Sequence, residues 1–344
     1  MIILTIETSC DDTCISIIEV KRGKFEILAD IASSQIEIHQ KWGGVYPILA
    51  KREHQKSLPI VLKRVQKKAN NPKIDLIGVT VGPGLDPCLW TGVTFAKDLA
   101  KKLNLKIVPV NHIEAHVLAN WFGLAAKELK NVFPALCLVV SGGHTQLILM
   151  KDIGKYKLIG ETRDDAAGEC FDKTARILGL EYPGGPAIAK IAKNPKDKEI
   201  FSINLPRPMI YQKNYDFSFS GLKTAVLYDF KKRSSKVRKS KKYIQEMAAE
   251  IQQAIIDVLI KKTIKAAEEF KVKTIILGGG VSANKELRKQ IEKKIDDSLE
   301  NVKILMPALK FCTDNAVMIG AAAFFNKSKS KSWEKIKVNA NLKI

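Results

Sequence analysis

Hydrophobic and polar positions divide the chain into two halves that follow the same plan. Each half opens with two apolar runs separated by a polar turn, which is the pattern of a β-hairpin. The segments are 2–6, 7–13 and 14–20 in the first half, and 135–140, 141–144 and 145–150 in the second. A later buried-type strand in each half, 74–81 and 272–277, ends in glycines and leads into a helical pattern. Two similar α/β lobes are therefore predicted.

The lobe boundaries follow from this repeat. We expect a first lobe over residues 1–131 and a second over 132–311, which is longer because of an insert at 151–242. Apolar residues spaced three or four apart from Ile244 to Leu259 predict a long amphipathic helix beneath the second sheet. A small, apolar helix in residues 312–327 is expected to pack back onto the first lobe, followed by a basic tail at 328–344.

Composition limits the class of protein. The chain has 344 residues, 46% of them hydrophobic, which suffices for two globular cores. No stretch approaches the ~20 apolar residues of a membrane span, and the N-terminus leads straight into a strand rather than a signal peptide. The six cysteines form no Cys-x-x-Cys pair, which indicates reduced thiols. We therefore expect a cytoplasmic protein with no membrane partner.

The net charge of +21 is the next strong signal. Eight of the twelve residues in 231–242 are Lys or Arg, and the segment 327–344 is also rich in Lys. Such an excess favours a polyanionic partner such as a nucleic acid. A solvated helix face or a generally lysine-rich proteome would give the same count, so charge alone leaves both interpretations open.

His112 and His116 are four residues apart in a helical pattern that follows the strand-like segment 106–110. This spacing places both imidazoles on one helix face, as required for two ligands of one metal ion. A chance pair is the alternative. Glu114 lies on another side of the helix, where Asn111 and Glu114 suit a capping box. The sequence is therefore not the His-Glu-x-x-His motif of zinc proteases.

A third metal ligand has to come from elsewhere in the chain. Asp314, which we place at the start of the last helix over 314–325, is the candidate. The alternative role is that of an acid that interacts favourably with the helix dipole. Two His and one carboxylate with open positions would suit Fe²⁺ or Zn²⁺.

Glycines follow three apolar strands, at 82–84, 141–143 and 278–280. Glycine lets backbone N–H groups approach an anion, so these segments favour a phosphate-bearing ligand. None of them fits the P-loop or the dinucleotide-binding pattern. Simple turns are the alternative. Asn284, just after the third segment, suits either a base or ribose contact or a helix N-cap.

Taken in order, the motifs resemble one family. They are 7–13 (ETSCDDT), 43–45 (GGV) with 52–54 (REH), 82–84 (GPG), 112–116 (HIEAH), 141–147 (SGGHTQL), 171–173 (FDK), 182–186 (YPGGP), 278–284 (GGGVSAN) and 312–315 (CTDN). The chain resembles the TsaD family, tRNA N6-adenosine threonylcarbamoyltransferases once called O-sialoglycoprotein endopeptidases. The similarity runs from Ile2 to about Phe325 and is closest to the bacterial and organellar branch.

The resemblance implies a fold and a reaction. The fold is the actin/Hsp70/sugar-kinase-like type, with two ribonuclease-H-like lobes around a central cleft. The reaction transfers the threonylcarbamoyl group from threonylcarbamoyl-AMP to N6 of adenosine-37 in tRNAs that read ANN codons, forming t6A and releasing AMP. The family's metal ligands fall on His112, His116 and Asp314. Its substrate-binding positions fall on Val140, Ser141, Gly142, Gly143, His144, Asp172, Gly185 and Asn284.

Other roles stay open. The group that accepts the proton from the amine is unassigned among Asp11, Asp12 and His144. The bound nucleotide is threonylcarbamoyl-AMP, ATP or AMP. Family partners are tRNA, a TsaB-like paralogue, a TsaE-like ATPase and a TsaC-type synthase that makes the donor. A metalloprotease of the glycoprotease family and an ATP-binding sugar-kinase-like enzyme are the alternative functions.

Overall fold

The computed structural model describes residues 1–122, 124, 131–192 and 200–344. Residues 193–199 of the predicted insert, and 123 and 125–130 of the predicted first lobe, lie outside this described part. The chain divides into two compact units. The first comprises Met1–Val132, Ile153–Lys155 and Pro307–Ile344, and the second comprises Phe133–Asp152 and Tyr156–Met306.

Strands and helices are numbered here in chain order within the described residues. The strands are β1 (Ile2–Glu7), β2 (Asp12–Lys21), β3 (Lys24–Ser34), β4 (Leu76–Gly82), β5 (Ile107–Asn111), β6 (Ala135–Val140), β7 (Thr145–Asp152), β8 (Lys155–Glu161), β9 (Thr274–Gly278) and β10 (Lys303–Leu305). The helices are α1 (Ile36–Gln40), α2 (Pro47–Lys68), α3 (Asp86–Leu103), α4 (His112–Leu118), α5 (Ala167–Ile177), α6 (Gly184–Ile191), α7 (Ser220–Lys232), α8 (Ser235–Arg238), α9 (Lys241–Glu269), α10 (Lys285–Ser298) and α11 (Ala316–Phe325).

The first unit is built on a five-stranded sheet in the order β3-β2-β1-β4-β5. β1 and β2 form the predicted hairpin, and β4 and β5 continue the sheet in parallel with β1. Alternate residues of β1 face opposite sides, so Leu4 packs into the core formed with α2 and α3. On the other face, Thr5 donates a hydrogen bond to Ala316 O of α11, at 2.6 Å.

Small residues let α11 lie close to this sheet. A Cβ atom added at Gly78 of β4 would be 2.8 Å from the Ala323 side chain, and one added at Gly320 would be 2.5 Å from Ile18. Both distances are shorter than real Cβ contacts, so glycine is required at these two positions. The close packing holds the body of α11 on the sheet, and the bond from Thr5 to Ala316 O holds its start, two residues after Asp314.

The second unit repeats the topology with the strand order β10-β9-β6-β7-β8. β6 is antiparallel to β7 and parallel to β9, just as β1 is antiparallel to β2 and parallel to β4. The predicted amphipathic helix is confirmed as part of α9, whose Met247, Ile251 and Ile255 are fully buried in the core of this unit. The prediction of two halves built on one plan is therefore confirmed.

The C-terminal tail has more structure than its composition predicts. Lys331 pairs with Ile107 at the edge of the first sheet, and Ile336 is buried. Further on, Asn339 N donates to Val81 O at 2.8 Å and Gly84 N donates to Ala340 O at 3.1 Å. The tail is thus packed on the first unit along the ends of β4 and β5.

No helix in the described ranges combines the length and apolarity needed to cross a membrane.

Candidate active site

Helix α4 follows directly from the end of β5 and carries both histidines. Asn111, the last residue of β5, caps the helix, since its Oδ1 accepts hydrogen bonds from Ile113 N at 2.8 Å and Glu114 N at 3.1 Å. All seven residues of α4 are buried. On a different side from the histidines, Glu114 Oε2 accepts a hydrogen bond from Asn326 Nδ2. The helix is therefore fixed at its start and along its flank.

Three side-chain atoms converge beside α4. His112 Nε2 lies 3.1 Å from His116 Nε2, and Asp314 Oδ1 lies 3.5 Å from the first nitrogen and 3.3 Å from the second. Tetrahedral ligands about 2.1 Å from a common ion are roughly 3.4 Å apart, so this triangle fits one metal ion. The structure thus brings together the three residues that the sequence proposed as ligands.

Asp314 lies outside the helix in which it was predicted. α11 begins at Ala316, and Asn315 is its N-cap, accepting from Met318 N at 2.9 Å. The predicted start at residue 314 is therefore wrong by two residues. The reason is local chemistry, because Asn315 rather than Asp314 makes the capping hydrogen bond, and both residue types are favoured at N-caps. Asp314 is left in the preceding turn with its carboxylate toward His112 and His116.

Glu7 is a fourth group of this centre, and the sequence reasoning missed it. It is the last residue of β1 and is fully buried, with Oε2 at 3.1 Å from His112 Nδ1. Thr80 Oγ1 donates to the same oxygen at 2.5 Å, and Ser9 N donates to Oε1 at 2.5 Å. The only signal in the sequence was a single acid at the end of an apolar strand, which we assigned to a polar turn.

The two histidines have opposite electrostatic environments. Burial alone would lower the pKa of His112, but the carboxylates of Glu7 and Asp314 raise it to about 9. Burial lowers the pKa of His116, and the neighbouring His112 lowers it further. Burial would raise the pKa of Glu7, but the charge and hydrogen bond of His112 hold it below its ordinary value. Glu7 is therefore ionised at neutral pH.

Asp11 and Asp12 lie in the first unit at the start of β2. Burial raises the pKa of both carboxyl groups, that of Asp12 to about 7, and the charge of Asp314 adds to the effect at each. Oδ1 of Asp12 is buried and has no hydrogen-bond partner in the part of the chain that the structure describes. Of the three proton-acceptor candidates, these two lie in the unit that contains the predicted metal ligands, whereas His144 lies in the second unit.

The turn between β6 and β7 in the second unit presents open backbone. Ser141 N donates to His144 O at 2.8 Å, and His144 N donates to Ser141 Oγ at 3.1 Å, which closes the turn after Val140. A Cβ atom added at Gly142 or Gly143 would meet nothing within 4 Å, and neither residue has a positive φ. The fold itself therefore gives no reason for glycine at these two positions, whereas a ligand close to the backbone would.

Two other glycines in this unit are needed for packing. A Cβ atom at Gly168 would lie 2.5 Å from Ser141 O, and one at Gly279, where φ is +85°, would lie 2.4 Å from Val140 O. The start of α5 and the segment 278–280 therefore both close against Val140 and Ser141. The remaining predicted segment, 82–84, belongs to the first unit and is covered by the tail, because a Cβ at Gly82 would lie 1.8 Å from Asn339 O. That contact explains Gly82, and Gly84 is explained by Ser9, because a Cβ at Gly84 would lie 2.6 Å from Ser9 O.

The remaining predicted substrate positions also lie in the second unit. Asp172 Oδ1 accepts a hydrogen bond from Gly184 N at 2.7 Å, which ties α5 to the start of α6. Gly185 beside it has room for a ligand, since its nearest neighbour to an added Cβ is 3.9 Å away. Asn284 caps α10 through Glu286 N and Leu287 N. The capping role offered as an alternative for Asn284 is thus observed, and its contact with a ligand stays a prediction.

The amino-acid sequence is similar to a family model and to sequences of known proteins. The family described as TsaD: tRNA N6-adenosine threonylcarbamoyltransferase matches residues 26–321. A tRNA N6-adenosine threonylcarbamoyltransferase of Thermosipho africanus (strain TCF52B) is 47% identical over 347 aligned positions, covering 100% of both chains. The enzyme of the same name from Anoxybacillus flavithermus (strain DSM 21510 / WK1) is 48% identical, covering 94% of this chain and 91% of its own.

Two solved structures share the fold. Full-length HypF in a phosphate- and nucleotide-bound form gives a TM-score of 0.56 at 13% identity, covering 94% of this chain and 55% of its own. HypF of T. kodakarensis gives 0.57 at 13% identity, covering 94% of this chain and 47% of its own. The chain thus spans about half the length of these proteins, and the similarity shows the fold alone. It confirms the predicted actin/Hsp70/sugar-kinase-like class.

Proposed function

Because the chain belongs to the TsaD family of tRNA N6-adenosine threonylcarbamoyltransferases, we propose a separate role for each of its two units. The chain is an acyltransferase that moves the threonylcarbamoyl group from threonylcarbamoyl-AMP to N6 of adenosine-37 in tRNAs reading ANN codons. The product is t6A, and AMP is released. In our proposal the first unit holds a metal ion and the second binds the nucleotide part of the donor.

The observation that carries this proposal is the convergence of His112, His116 and Asp314 within hydrogen-bonding distances of one another. Two imidazole nitrogens and one carboxylate oxygen form a donor set that suits Fe²⁺ or Zn²⁺ and leaves open positions. A bound ion would act as a Lewis acid toward the carbamoyl carbonyl of the donor. Asp314, 22% exposed at its side chain, is the most accessible of the three ligands.

We assign the nucleotide to the second unit. The backbone of Gly142 and Gly143 is open to solvent, and the turn that contains it lies against the N-terminus of α5 at Gly168. Backbone N–H groups in such a turn bind anions, so the segment from Val140 to His144 would receive the AMP phosphate. Asp172, Gly185 and Asn284 complete this proposal as contacts of the nucleoside.

The reaction forms a bond between N6 and the carbamoyl carbon and breaks the bond from that carbon to the phosphate oxygen. The amine loses one proton, which requires an acceptor near neutral pH. Asp11, Asp12 and His144 remain the candidates. Asp12 is supported by a pKa of about 7 and by a buried oxygen without a partner among the described residues.

The net charge of +21 supports a tRNA substrate, because the tRNA backbone is negatively charged. The basic run 231–242 spans the end of α7, α8 and the start of α9, and Lys231, Lys236 and Lys239 within it are exposed. We propose that this run contacts the phosphate backbone, which predicts that tRNA affinity falls steeply as salt rises. Affinity that stays flat between low and moderate salt would rule out this contribution.

The other partners are proposed from the family. They are a TsaB-like paralogue, a TsaE-like ATPase and a TsaC-type synthase that supplies the donor. A cytoplasmic location stays a prediction. The metalloprotease alternative lacks support, because Glu114, the one acid of α4, binds Asn326 rather than pointing toward the histidine pair.

The test is nucleoside mass spectrometry on unmodified tRNA incubated with this protein, its partners, threonine, bicarbonate and ATP. We expect t6A from the wild type and none from His116→Ala, because the variant lacks one metal ligand. His39→Gln is the matched control, since His39 is also a buried histidine of the first unit but binds Gln35. Undiminished product from a folded, metal-free His116→Ala would contradict the proposal.

A further inference from the structure

We propose that Glu7 is a positioning residue for the metal centre: its buried carboxylate accepts a hydrogen bond from Nδ1–H of His112 and so directs Nε2 of that ring toward the ion. This inference rests on the proposed metal site and adds a residue to it. It concerns a group that lies at the end of β1, 105 positions before the histidine that it orients.

The position of Glu7 is fixed from three directions. Its Oε1 accepts from the backbone N–H of Ser9, and its Oε2 accepts from the Thr80 hydroxyl and lies 3.1 Å from His112 Nδ1. No part of the side chain is exposed. Because β1 and β4 are adjacent strands of the sheet, Thr80 ties the carboxylate to the same rigid layer. Glu7 is therefore a fixed acceptor rather than a mobile surface acid.

The hydrogen-bond roles determine the tautomer of His112. An ionised carboxylate only accepts hydrogen bonds, so Nδ1 must be the nitrogen that carries the proton toward Glu7. The hydroxyl of Ser9, 3.2 Å from the same Nδ1, can either donate or accept and is compatible with this assignment. When a metal ion displaces the proton of Nε2, the lone pair of Nε2 faces His116 and Asp314, as metal binding requires.

The second histidine has no equivalent support. Nδ1 of His116 is buried and has no hydrogen-bond partner within the described ranges of the chain. The two ligands of the same helix are thus unequal, and the orientation of the pair depends on His112. Glu7 also supplies a buried negative charge beside Asp314. Together these two carboxylates balance the charge of a divalent cation, which lowers the cost of burying it.

The experiment compares Zn²⁺ affinity, measured by competition with a chromophoric chelator, in the wild type, Glu7→Gln and Glu114→Gln. Glutamine keeps the shape of Glu7, but its amide can donate to Nδ1 and favour the wrong tautomer. Loss of such an orienting partner weakens metal binding by about 10- to 100-fold. Glu114 is the matched control, because it is also a buried acid beside α4 but binds Asn326. Its variant should stay within about threefold of the wild type.

A second measurement separates positioning from a purely structural role. In the Zn²⁺-loaded wild type and in Glu114→Gln, the Nδ1 proton of His112 should give a protected imidazole N–H signal by NMR. Folded Glu7→Gln should lose this signal. If Glu7→Gln fails to fold, Glu7→Asp takes its place, because it keeps the charge but withdraws the carboxylate from His112. We then expect an intermediate loss of affinity.

The outcomes separate this inference from the proposal beneath it. A wild type that binds Zn²⁺ alongside a folded Glu7 variant of equal affinity would overturn the role of Glu7 alone. A wild type that binds neither Zn²⁺ nor Fe²⁺ would overturn the metal centre, and the role of Glu7 with it. Weaker binding in both Glu7→Gln and Glu114→Gln would show that any buried acid near α4 matters, which also contradicts the specific role.

Discussion

The proposed metal centre of the first unit and the proposed nucleotide-binding turn of the second use different chemical groups. The first consists of buried ionisable side chains that hold one another in place, such as Glu7, His112 and Asp314. The second consists of backbone around Gly142 and Gly143, with open space in front of it. The difference is physical: a cation needs fixed lone pairs, whereas a phosphate can be held by the backbone N–H groups that all residues except proline carry.

The contrast extends to what each region tolerates. In the first unit, a change of one side chain alters the charge and tautomer of its neighbours. In the proposed nucleotide-binding turn, we expect a side chain at Gly142 or Gly143 to act mainly by keeping the ligand away from the backbone. Substitutions in the first site should therefore change stability and metal binding together, whereas a substitution in the turn can change ligand affinity alone.

The largest effect is expected where a glycine of the second unit serves packing. Gly168→Ala would place a Cβ atom 2.5 Å from Ser141 O. Because Ser141 O is a backbone atom, the clash can be relieved only if the backbone of α5 or of the turn moves. Overpacking of this kind costs about 1–3 kcal/mol of unfolding free energy. Urea denaturation measures it. An unchanged midpoint would show that α5 and the turn are not packed as closely as described.

A smaller effect of opposite sign is expected at Asp12 of the first unit, where a substitution should raise the free energy of unfolding. Burial raises its pKa to about 7, so the folded state binds a proton that the unfolded state has already lost above pH 4. The contribution of Asp12 to the free energy of unfolding is therefore complete below the unfolded pKa. It is lost as pH rises through the folded pKa of about 7. Asp12→Asn removes this dependence and should be more stable than the wild type at pH 8, by about 1–2 kcal/mol because Asp12 keeps some exposure.

Urea denaturation of both proteins at pH 5 and pH 8 checks this second effect. The stability difference between Asp12→Asn and the wild type should be larger at pH 8 than at pH 5. Parallel pH profiles would mean that another group carries the dependence. Asp11, whose pKa is also raised by burial, would then be the next residue to change.

The smallest effect on the fold is expected at Gly143, where function and stability should separate. Gly143→Ala adds a Cβ atom that meets nothing within 4 Å, so unfolding free energy should stay within about 0.5 kcal/mol. AMP affinity, measured by calorimetry, should fall by about tenfold because the methyl group occupies the space in front of the turn. Unchanged AMP binding would move the phosphate site away from this turn.

The sequence predicted the parts of this architecture that have a local signature. The hairpins β1–β2 and β6–β7 were recognised because apolar runs flank a polar turn, and α9 because its apolar residues recur at helical spacing. β3 and β8 were missed. β3 consists mostly of partly buried and exposed positions, so it lacks a clear apolar face. β8 lies within the segment 151–242 that we assigned to the insert. The apolar tail residue Ile336 was hidden within a lysine-rich composition.

The candidate site shows the same limit. His112 and His116 were found because their spacing is short and regular, whereas Asp314 was proposed only from its place near the start of the last helix, and the family resemblance supported that choice. Glu7 had no spacing signature at all, since its partners Thr80 and His112 lie far along the chain. Only the parallel pairing of β1 with β4 brings them together. Contacts of that kind depend on topology and cannot be read from local patterns.

The most direct test of the account is X-ray absorption spectroscopy of the Zn²⁺-loaded protein, with His116→Ala measured beside it. We predict scattering from two imidazole rings and oxygen ligands at about 2.0–2.2 Å in the wild type. His116→Ala should show at most one imidazole, together with weaker binding. Unchanged coordination and stoichiometry in His116→Ala would contradict the claim that α4 and Asp314 form the metal centre.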